Sequence, residues 1–494
     1  MPSSWTTSAA TLELALEPNR PRRAALEAAL RAAIRESRLV AGTRLPSSRA
    51  LAADLGLARG TVVEAYAQLQ AEGYLNSRRG AGTWVADVAL AASTAPTHAE
   101  IAARTPRFSF NPGLPDLAAF PRTAWTNSLR RGLRDAPASS LGYGDPRGRE
   151  ELRKALAEYL GRARGVVADP ELVVVCAGFS HGLSLLARAL RRQGVERIAM
   201  EDPCFWLHRS IARAGGLDVV PMPVDARGAL TASLFATDAG AALLTPAHQF
   251  PLGALLHPDR RASAVAWARE TGGILVEDDY DAELRYDRPP VGALQALEPD
   301  HVVYAGTTSK TLAPGLRLGW LLLPPALLEP VLRLRTTEDV HVPAPEQIAF
   351  GELLVAGAFE RHVRRMRSHY RARRDRLLEM LATRTPTVTP VGISAGLRVL
   401  LELPPGVPSG EELAELGAKR SLDLFPVGPC YHGGRARREG LVVGYAALPD
   451  HAFESGLEAL GDLLSAAIGK WSTIDGSKWP SAAPSAPVSV AASK

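Results

Sequence analysis

One lysine in this 494-residue chain stands among neighbours that could do covalent chemistry. Lys310 sits in the run Gly306-Thr307-Thr308-Ser309-Lys310-Thr311-Leu312-Ala313-Pro314-Gly315-Leu316-Arg317-Leu318-Gly319. A lysine amine activated by its surroundings adds to carbonyls, and hydroxyls with a guanidinium nearby suit an oxyanion. Upstream, Asp278 and Tyr280 follow the apolar run 274–276 two residues apart, which puts both side chains on one side of a strand end. Glu277 and Asp279 should then point elsewhere, and no second ligand group with metal spacing accompanies this acidic cluster. Ala177-Gly178-Phe179-Ser180 stands where a strand gives way to a helix. Free backbone N–H groups and the helix dipole there can hold a phosphate dianion, and Gly178 allows close approach.

A different chemistry is written near the N-terminus. Pro46-Ser47-Ser48 opens a short helix, whose hydroxyls and amides can take a DNA phosphate while Arg44 and Arg49 add charge. Residues 1–85 carry eleven Arg and no Lys against seven Asp and Glu, a surplus of four, while the whole chain has a net charge of only +5. The basic excess is thus concentrated in one small unit, as a nucleic-acid partner requires.

These residues need elements to hold them. Leu26, Leu30 and Ile34 recur every four positions, which predicts an amphipathic helix over 21–38 with Pro21 in its first turn. A second helix runs from Pro46 through Leu51 and Leu55 to Gly56, and a third from near Ala58 to Glu72. Residues 74–85 alternate as a two-stranded hairpin around Arg79-Gly80. Residues 87–107 are rich in Ala, Ser, Thr and Pro and read as a linker, which as a flexible coil of ~20 residues spans about 25 Å. Beyond it, apolar runs at 172–175, 198–200, 243–245, 274–276 and 302–305 alternate with helical segments, the pattern of a mostly parallel α/β sheet. Residues 472–494 read as a disordered tail.

With 46% hydrophobic and 22% charged residues, the chain suits two or three folded domains. Cys176, Cys204 and Cys430 are isolated, so neither a disulfide framework nor a zinc site is expected, and a reducing cytoplasm is the expected home. The apolar stretch 318–332 is cut by Pro324, Pro325 and Glu329; neither export nor a membrane span is indicated.

Residues 11–86 resemble the GntR-type winged helix-turn-helix. The resemblance rests on Ala41-Gly42-Thr43-Arg44-Leu45-Pro46-Ser47-Ser48-Arg49-Ala50-Leu51-Ala52, Arg59-Gly60-Thr61-Val62, Glu72-Gly73-Tyr74-Leu75 and Arg78-Arg79-Gly80-Ala81-Gly82-Thr83. It implies double-stranded DNA as partner. Arg44, Ser47, Ser48 and Arg49 would set register on phosphates, and Arg59 and Thr61 would meet base edges from the start of a recognition helix. Arg78, Arg79 and Gly80 would form the wing. The family usually has Ser where this chain has Ala58, which removes an N-cap hydroxyl.

Residues 108–468 resemble the fold type I aminotransferases, and the two parts together resemble the MocR/GabR family of regulators. The implied fold is α/β, a winged helix-turn-helix joined by a linker to an aminotransferase-like domain that binds pyridoxal 5'-phosphate. On that reading Lys310 forms the internal aldimine, Gly178, Phe179, Ser180, Thr307 and Arg317 surround the phosphate, and Ser309 is a further cofactor-binding residue. Asp278 pairs with the pyridinium nitrogen, Tyr280 bonds the phenolic oxygen, and Phe205 stacks on the ring, with Trp206 as the competing choice. In Thr245-Pro246-Ala247-His248-Gln249-Phe250-Pro251-Leu252-Gly253, Phe250 replaces the aminotransferase Asn, which leaves His248 or Gln249 as substitutes for its contact. Tyr143, in Tyr143-Gly144-Asp145-Pro146-Arg147-Gly148, would reach a neighbouring subunit's phosphate site, so a homodimer is implied; a plain Gly/Pro turn fits the composition equally well.

Aminotransferases clamp the substrate carboxylate with an Arg near the C-terminus. In Leu441-Val442-Val443-Gly444-Tyr445-Ala446 that position is Val442, with Arg398, Arg435, Arg437 and Arg438 as alternative anchors. A DNA-bound sensor of pyridoxal phosphate or an amino compound therefore leads, for genes of vitamin B6 or of amine and amino-acid metabolism. A working aminotransferase carrying a DNA module is the alternative. Residues 361–376 hold eight Arg against Asp375, with Val363, Met366, Tyr370 and Leu377 as an apolar stripe, a helix packed on one side whose basic face is solvated or adds phosphate contacts.

Overall fold

The computed structural model describes residues 14, 16, 17, 20–78, 82–87, 106–287, 291–434, 436 and 438–469, and the statements below concern these. Residues 88–105 of the expected linker, the tail 472–494, the wing-tip pair Arg79 and Gly80, and Arg435 and Arg437 lie outside them. Two compact units divide the chain, residues 1–103 and 104–494.

In the first unit α1 (Arg22–Arg35), α2 (Ser48–Leu55) and α3 (Arg59–Ala71) precede a hairpin of β1 (Leu75–Arg78) and β2 (Gly82–Val85). Leu26, Leu30 and Ile34 bury one face of α1 against Leu51 of α2 and Val62 and Leu69 of α3. Ser47 caps α2, its Oγ accepting from the Ala50 amide at 3.2 Å, and Gly56 ends the helix in the left-handed region at φ +63°. Ala58 begins α3 with no side-chain cap. The hairpin is antiparallel, with Leu75 opposite Val85 and Arg78 opposite Gly82.

The second unit is built on β3 (Val173–Cys176), α4 (Phe179–Arg192), β4 (Arg197–Asp202), α5 (Trp206–Ala214), β5 (Asp218–Asp225), β6 (Gly228–Ala229), β7 (Ala241–Leu244), β8 (Ile274–Asp279), β9 (Val302–Thr307) and β10 (Gly319–Leu322). These strands form one sheet in the order β3-β10-β9-β8-β7-β4-β5-β6. The central pairs β9–β8, β8–β7, β7–β4 and β4–β5 are parallel, whereas β10 runs antiparallel to both neighbours. Strand residues are buried on both faces, as a sheet covered by helices on each side demands. The run expected over 243–245 is a strand only as far as Leu244. Thr245 lies past the end of the strand, buried, its amide and hydroxyl both donating to the buried Glu201 carboxylate.

The chain then forms a long helix α6 (Ala358–Arg384) and a smaller sheet of β11 (Thr389–Val391), β12 (Arg398–Glu402), β13 (Phe425–Pro426) and β14 (Gly440–Gly444), in the order β11-β12-β14-β13. Val363 of α6 packs with residues of the large sheet's core, and Met366, Tyr370 and Leu377 pack with those of the smaller sheet, so this helix joins the two. No described helix is long and apolar enough to cross a membrane.

Candidate functional site

Where the parallel strands end, their last residues and the turns after them enclose a cavity of about 240 Å³. That is the usual place for a ligand in an α/β sheet. Phe179, Ser180, Phe205, Asp278, Tyr280, Thr307, Ser309, Lys310 and Arg317, all expected from the sequence, line it together. They come from strand ends and turns up to 138 residues apart, and the register of β8, β9 and β10 brings them side by side.

Part of the cavity wall is the start of α4, through Phe179 and Ser180. Gly178 has φ +81°, and a Cβ there would meet Arg317 Nη1 at 3.2 Å, so the position calls for glycine. Gly319 is equally constrained, since its Cβ would stand 2.9 Å from Gly178 Cα. These two glycines let the turn before α4 press against β10. Arg317 donates to the Ala177 carbonyl at 2.6 Å, and the Thr307 hydroxyl donates to Ser309 Oγ at 2.9 Å. Hydroxyls, a guanidinium and an uncapped helix N-terminus thus converge, the donors an oxyanion calls for.

Lys310 lines the same cavity, its ammonium donating to the Gly113 carbonyl at 2.7 Å. Burial, and then the nearby positive charge of Arg398, push its amine down to about 8, against the pull of Asp281 and Asp278. Asp278 is buried; its Oδ1 has no hydrogen-bond partner and its Oδ2 lies 4.0 Å from His208 Nδ1. Burial, and then Asp279, hold the Asp278 carboxyl well above the usual carboxylate range. Its strand neighbours do point away: Asp279 takes Arg164 at 2.7 Å and the Tyr304 hydroxyl at 2.7 Å, and Glu277 accepts the amides of Leu294 and Gln295.

Phe205 stands edge-on to His208 and Phe250, with ring centres 5.2 and 5.6 Å away, whereas Trp206 is exposed and outside the cavity wall. His208, one helical turn on, was not anticipated; burial pushes its imidazole down to about 3, so it faces Asp278 neutral. Its spacing from Phe205 was the available signal.

His248 and Gln249 are not brought to the cavity wall. Gln249 spends both ends of its amide on its own surroundings, donating to Glu201, to the Pro203 carbonyl at 2.7 Å and to the Phe250 carbonyl at 2.6 Å, and accepting from the Leu252 amide at 3.0 Å. The His248 ring is bound to Asp281 at 2.8 Å, and its carbonyl accepts the Tyr280 hydroxyl at 2.6 Å. The residue that does stand beside Phe250 and Tyr280 in the wall is Arg398. Val442 is buried among Leu400, Val427 and Tyr431. Asn111, Pro112 and Gly113 also line the cavity, and no motif read from the sequence pointed to them. Tyr143 lies outside it and is 93% exposed.

In the first unit Arg44, Ser47, Arg49, Arg59 and Arg78 are exposed, and Ser48 and Thr61 are half-buried. Arg44 pairs through its backbone with Trp84 of β2, and its side chain lies against Gly82, so the residues before α2 and the hairpin are held together.

Residues 22–85 match the family model described as bacterial regulatory proteins, gntR family, and residues 114–415 match aminotransferase class I and II. The HTH-type pyridoxine biosynthesis transcriptional regulator PdxR of Corynebacterium glutamicum is 33% identical over 92% of this chain and 99% of that protein. The probable rhizopine catabolism regulatory protein MocR of Rhizobium meliloti is 32% identical over 87% of this chain and 91% of its own. Among solved structures, the α-aminoadipate aminotransferase LysN of Thermus thermophilus is similar with a TM-score of 0.66 and 26% identity, over 74% of this chain and 93% of that one.

Proposed function

Because this chain belongs to the MocR/GabR-type transcriptional regulators, in which a gntR-family helix-turn-helix is joined to an aminotransferase class I and II domain, we propose that it senses pyridoxal 5'-phosphate, or an amino compound that reaches it, through Lys310. The observation that carries this reading is one cavity holding a half-buried lysine amine, a buried carboxylate oxygen without a partner and a cluster of oxyanion donors. Those three groups fit the aldehyde, ring nitrogen and phosphate of pyridoxal phosphate.

When bound, the cofactor supplies an electron-withdrawing ring and a carbon that amines can reach. The chain's own residues would do the rest. Lys310, with its amine lowered to about 8, keeps a neutral fraction at physiological pH for attachment. Asp278 would accept the proton-bearing ring nitrogen, which removes the cost of its orphaned oxygen. Ser180, Thr307, Ser309 and Arg317 would hold the phosphate, Tyr280 would present its hydroxyl, and Phe205 would cover the ring. A homodimer working in the cytoplasm, with Tyr143 of one copy at the phosphate end of the other, accords with that tyrosine's exposure.

Sensing is favoured over turnover because the relatives that match over both units, PdxR and MocR, are named as regulators; the position that carries a carboxylate-clamping Arg in transaminases is here the buried Val442. A ligand that binds one arrangement of the protein better than another shifts the balance between them, and DNA binding with it. Full-length protein should release pyridoxal phosphate on denaturation, and Lys310→Ala should abolish both that release and the ligand response of DNA binding. Protein that carries no pyridoxal phosphate, with Lys310→Ala responding as the wild type does, overturns the reading. The intact set of Lys310, Asp278 and Tyr280 leaves a working aminotransferase as the second reading, which sustained keto-acid formation from a panel of amino donors would favour.

A further inference from the structure

We infer that Arg398 is a relocated acid-group anchor, so that the compound sensed in this cavity carries a carboxylate as well as an amine. The inference rests on the proposal that Lys310 holds the cofactor. It comes from strand register. In the antiparallel pair β12–β14, Arg398 lies opposite Gly444 and Leu400 opposite Val442. Opposed residues share a face, and so do residues two apart, so all four sit on the same face of the small sheet. A guanidinium absent at Val442 is thus supplied one strand over and two residues along.

Gly444 makes the arrangement possible. A Cβ there would stand 2.3 Å from the Asn111 carbonyl oxygen, and the Gly444 amide donates to the Phe110 carbonyl at 2.8 Å. The Asn111-Pro112-Gly113 turn therefore packs directly on β14, and its Gly113 carbonyl receives the Lys310 ammonium. Arg398, this turn and Lys310 all line the one cavity.

The Arg398 guanidinium is buried, with 3% of its side chain exposed, and its five donors are underused. Its Nη2 donates to the Tyr280 hydroxyl, Nη1 reaches Asp281 only at 3.5 Å, and Nε has no partner. The same Asp281 oxygen is already taken by His248 at 2.8 Å. Two other buried arginines have closer carboxylates: Arg164 meets Asp279 at 2.7 Å and Arg373 meets Asp450 at 2.6 Å. A buried charge with so weak a counterion is costly, and an incoming anion relieves that cost. The guanidinium lies over the rings of Phe250, in the place of an aminotransferase Asn, and of Tyr280, 4.4 and 5.1 Å from the two centres. The site so built recognises an acid group in the cavity that Lys310 and Arg317 also line.

The test uses full-length, cofactor-loaded protein and pairs of probes that differ by the carboxylate: glycine against methylamine, L-alanine against ethylamine, 4-aminobutyrate against propylamine. Binding is read from the cofactor's absorption. In the wild type at least one acid should bind at least about tenfold more tightly than its amine, the scale of one charge-assisted bond. Arg398→Met should erase that preference, and Arg398→Lys, which keeps the charge but loses the fork, should retain part of it. A second readout is thermal stabilisation of the cofactor-free protein by propionate, expected for the wild type and lost in Arg398→Met. If no acid is preferred by the loaded wild type, or if Arg398→Met or, should that variant not fold, Arg398→Lys keeps the full preference, Arg398 serves only Tyr280 and Asp281. Failure of the wild type to load pyridoxal phosphate at all would instead sink the sensing proposal itself.

Discussion

The Lys310 ammonium donates to the Gly113 carbonyl at 2.7 Å, tying the turn between β9 and β10 to a loop 197 residues earlier. A Cβ on Gly113 would lie 3.3 Å from that nitrogen and 3.2 Å from Asn111 Oδ1. Gly113→Ala should therefore leave the fold intact but crowd the amine, slowing capture of pyridoxal phosphate several-fold. Stopped-flow absorbance on the cofactor-free protein measures this; an unchanged rate would mean the loop gives way freely.

Capture should depend on pH through the Lys310 amine, which is lowered from 10.5 to about 8. The neutral amine is the reactive form, so the capture rate should rise as pH increases and level off above about 8. Because Arg398 is part of the cause, Arg398→Met should move the midpoint upward. The same shift acts on stability. Between about 8 and 10.5 the unfolded chain binds the proton and the folded chain does not, so this group makes the cofactor-free unit more stable as pH rises through that window. Lys310→Met should flatten that contribution in denaturant titrations.

Asp278→Ala removes the carboxylate proposed to meet the ring nitrogen. A hydrogen bond to a charged group contributes about 1.5–3 kcal/mol, so cofactor affinity should fall by roughly ten- to a hundred-fold. Equilibrium dialysis gives the number, and a loss below threefold would remove Asp278 from that role. Circular dichroism should be unchanged, because Asp278 Oδ1 holds no other group in place.

In the DNA-reading unit, Arg49 lies in the first turn of α2 and Arg59 at the start of α3, both exposed. Arg49→Ala should weaken binding to every sequence alike and lower the salt slope by about one. Arg59→Ala should instead cost about 1–3 kcal/mol on the preferred site and little elsewhere. Fluorescence anisotropy with specific and scrambled duplexes across a salt series separates the two, and identical profiles would contradict the division between phosphate and base contacts.

The basic helix α6 should prove a packed and solvated element. Arg373, Arg374 and Arg376 are engaged with Asp450, Asp375 and Glu454, and Arg361 and Arg364 face solvent. Reversal of Arg361 and Arg364 to Glu should leave the salt slope of DNA binding unchanged, as isolated surface charges usually do. A slope reduced by two would show that this helix also meets phosphates.

What could be read from the sequence was what lies within one turn or one helix. Ser47 before α2, Gly56 after it, the Leu26, Leu30 and Ile34 stripe and the lysine run around Lys310 each state their structure locally, because caps, periodicity and glycine φ preferences act over a few residues. Asp278 and Tyr280 were legible for the same reason, two positions apart at the end of a strand. Tertiary structure alone decided who stands next to whom. Gln249 could serve the cavity as far as its sequence goes, yet the buried Glu201 and the Pro203 carbonyl claim its amide. Arg398 is 117 residues from Asp281 and 46 from Gly444, and only the pairing of β12 with β14 turns it into the cation beside Lys310. Register between distant strands depends on the packing of both faces at once, so no local pattern of residues announces it.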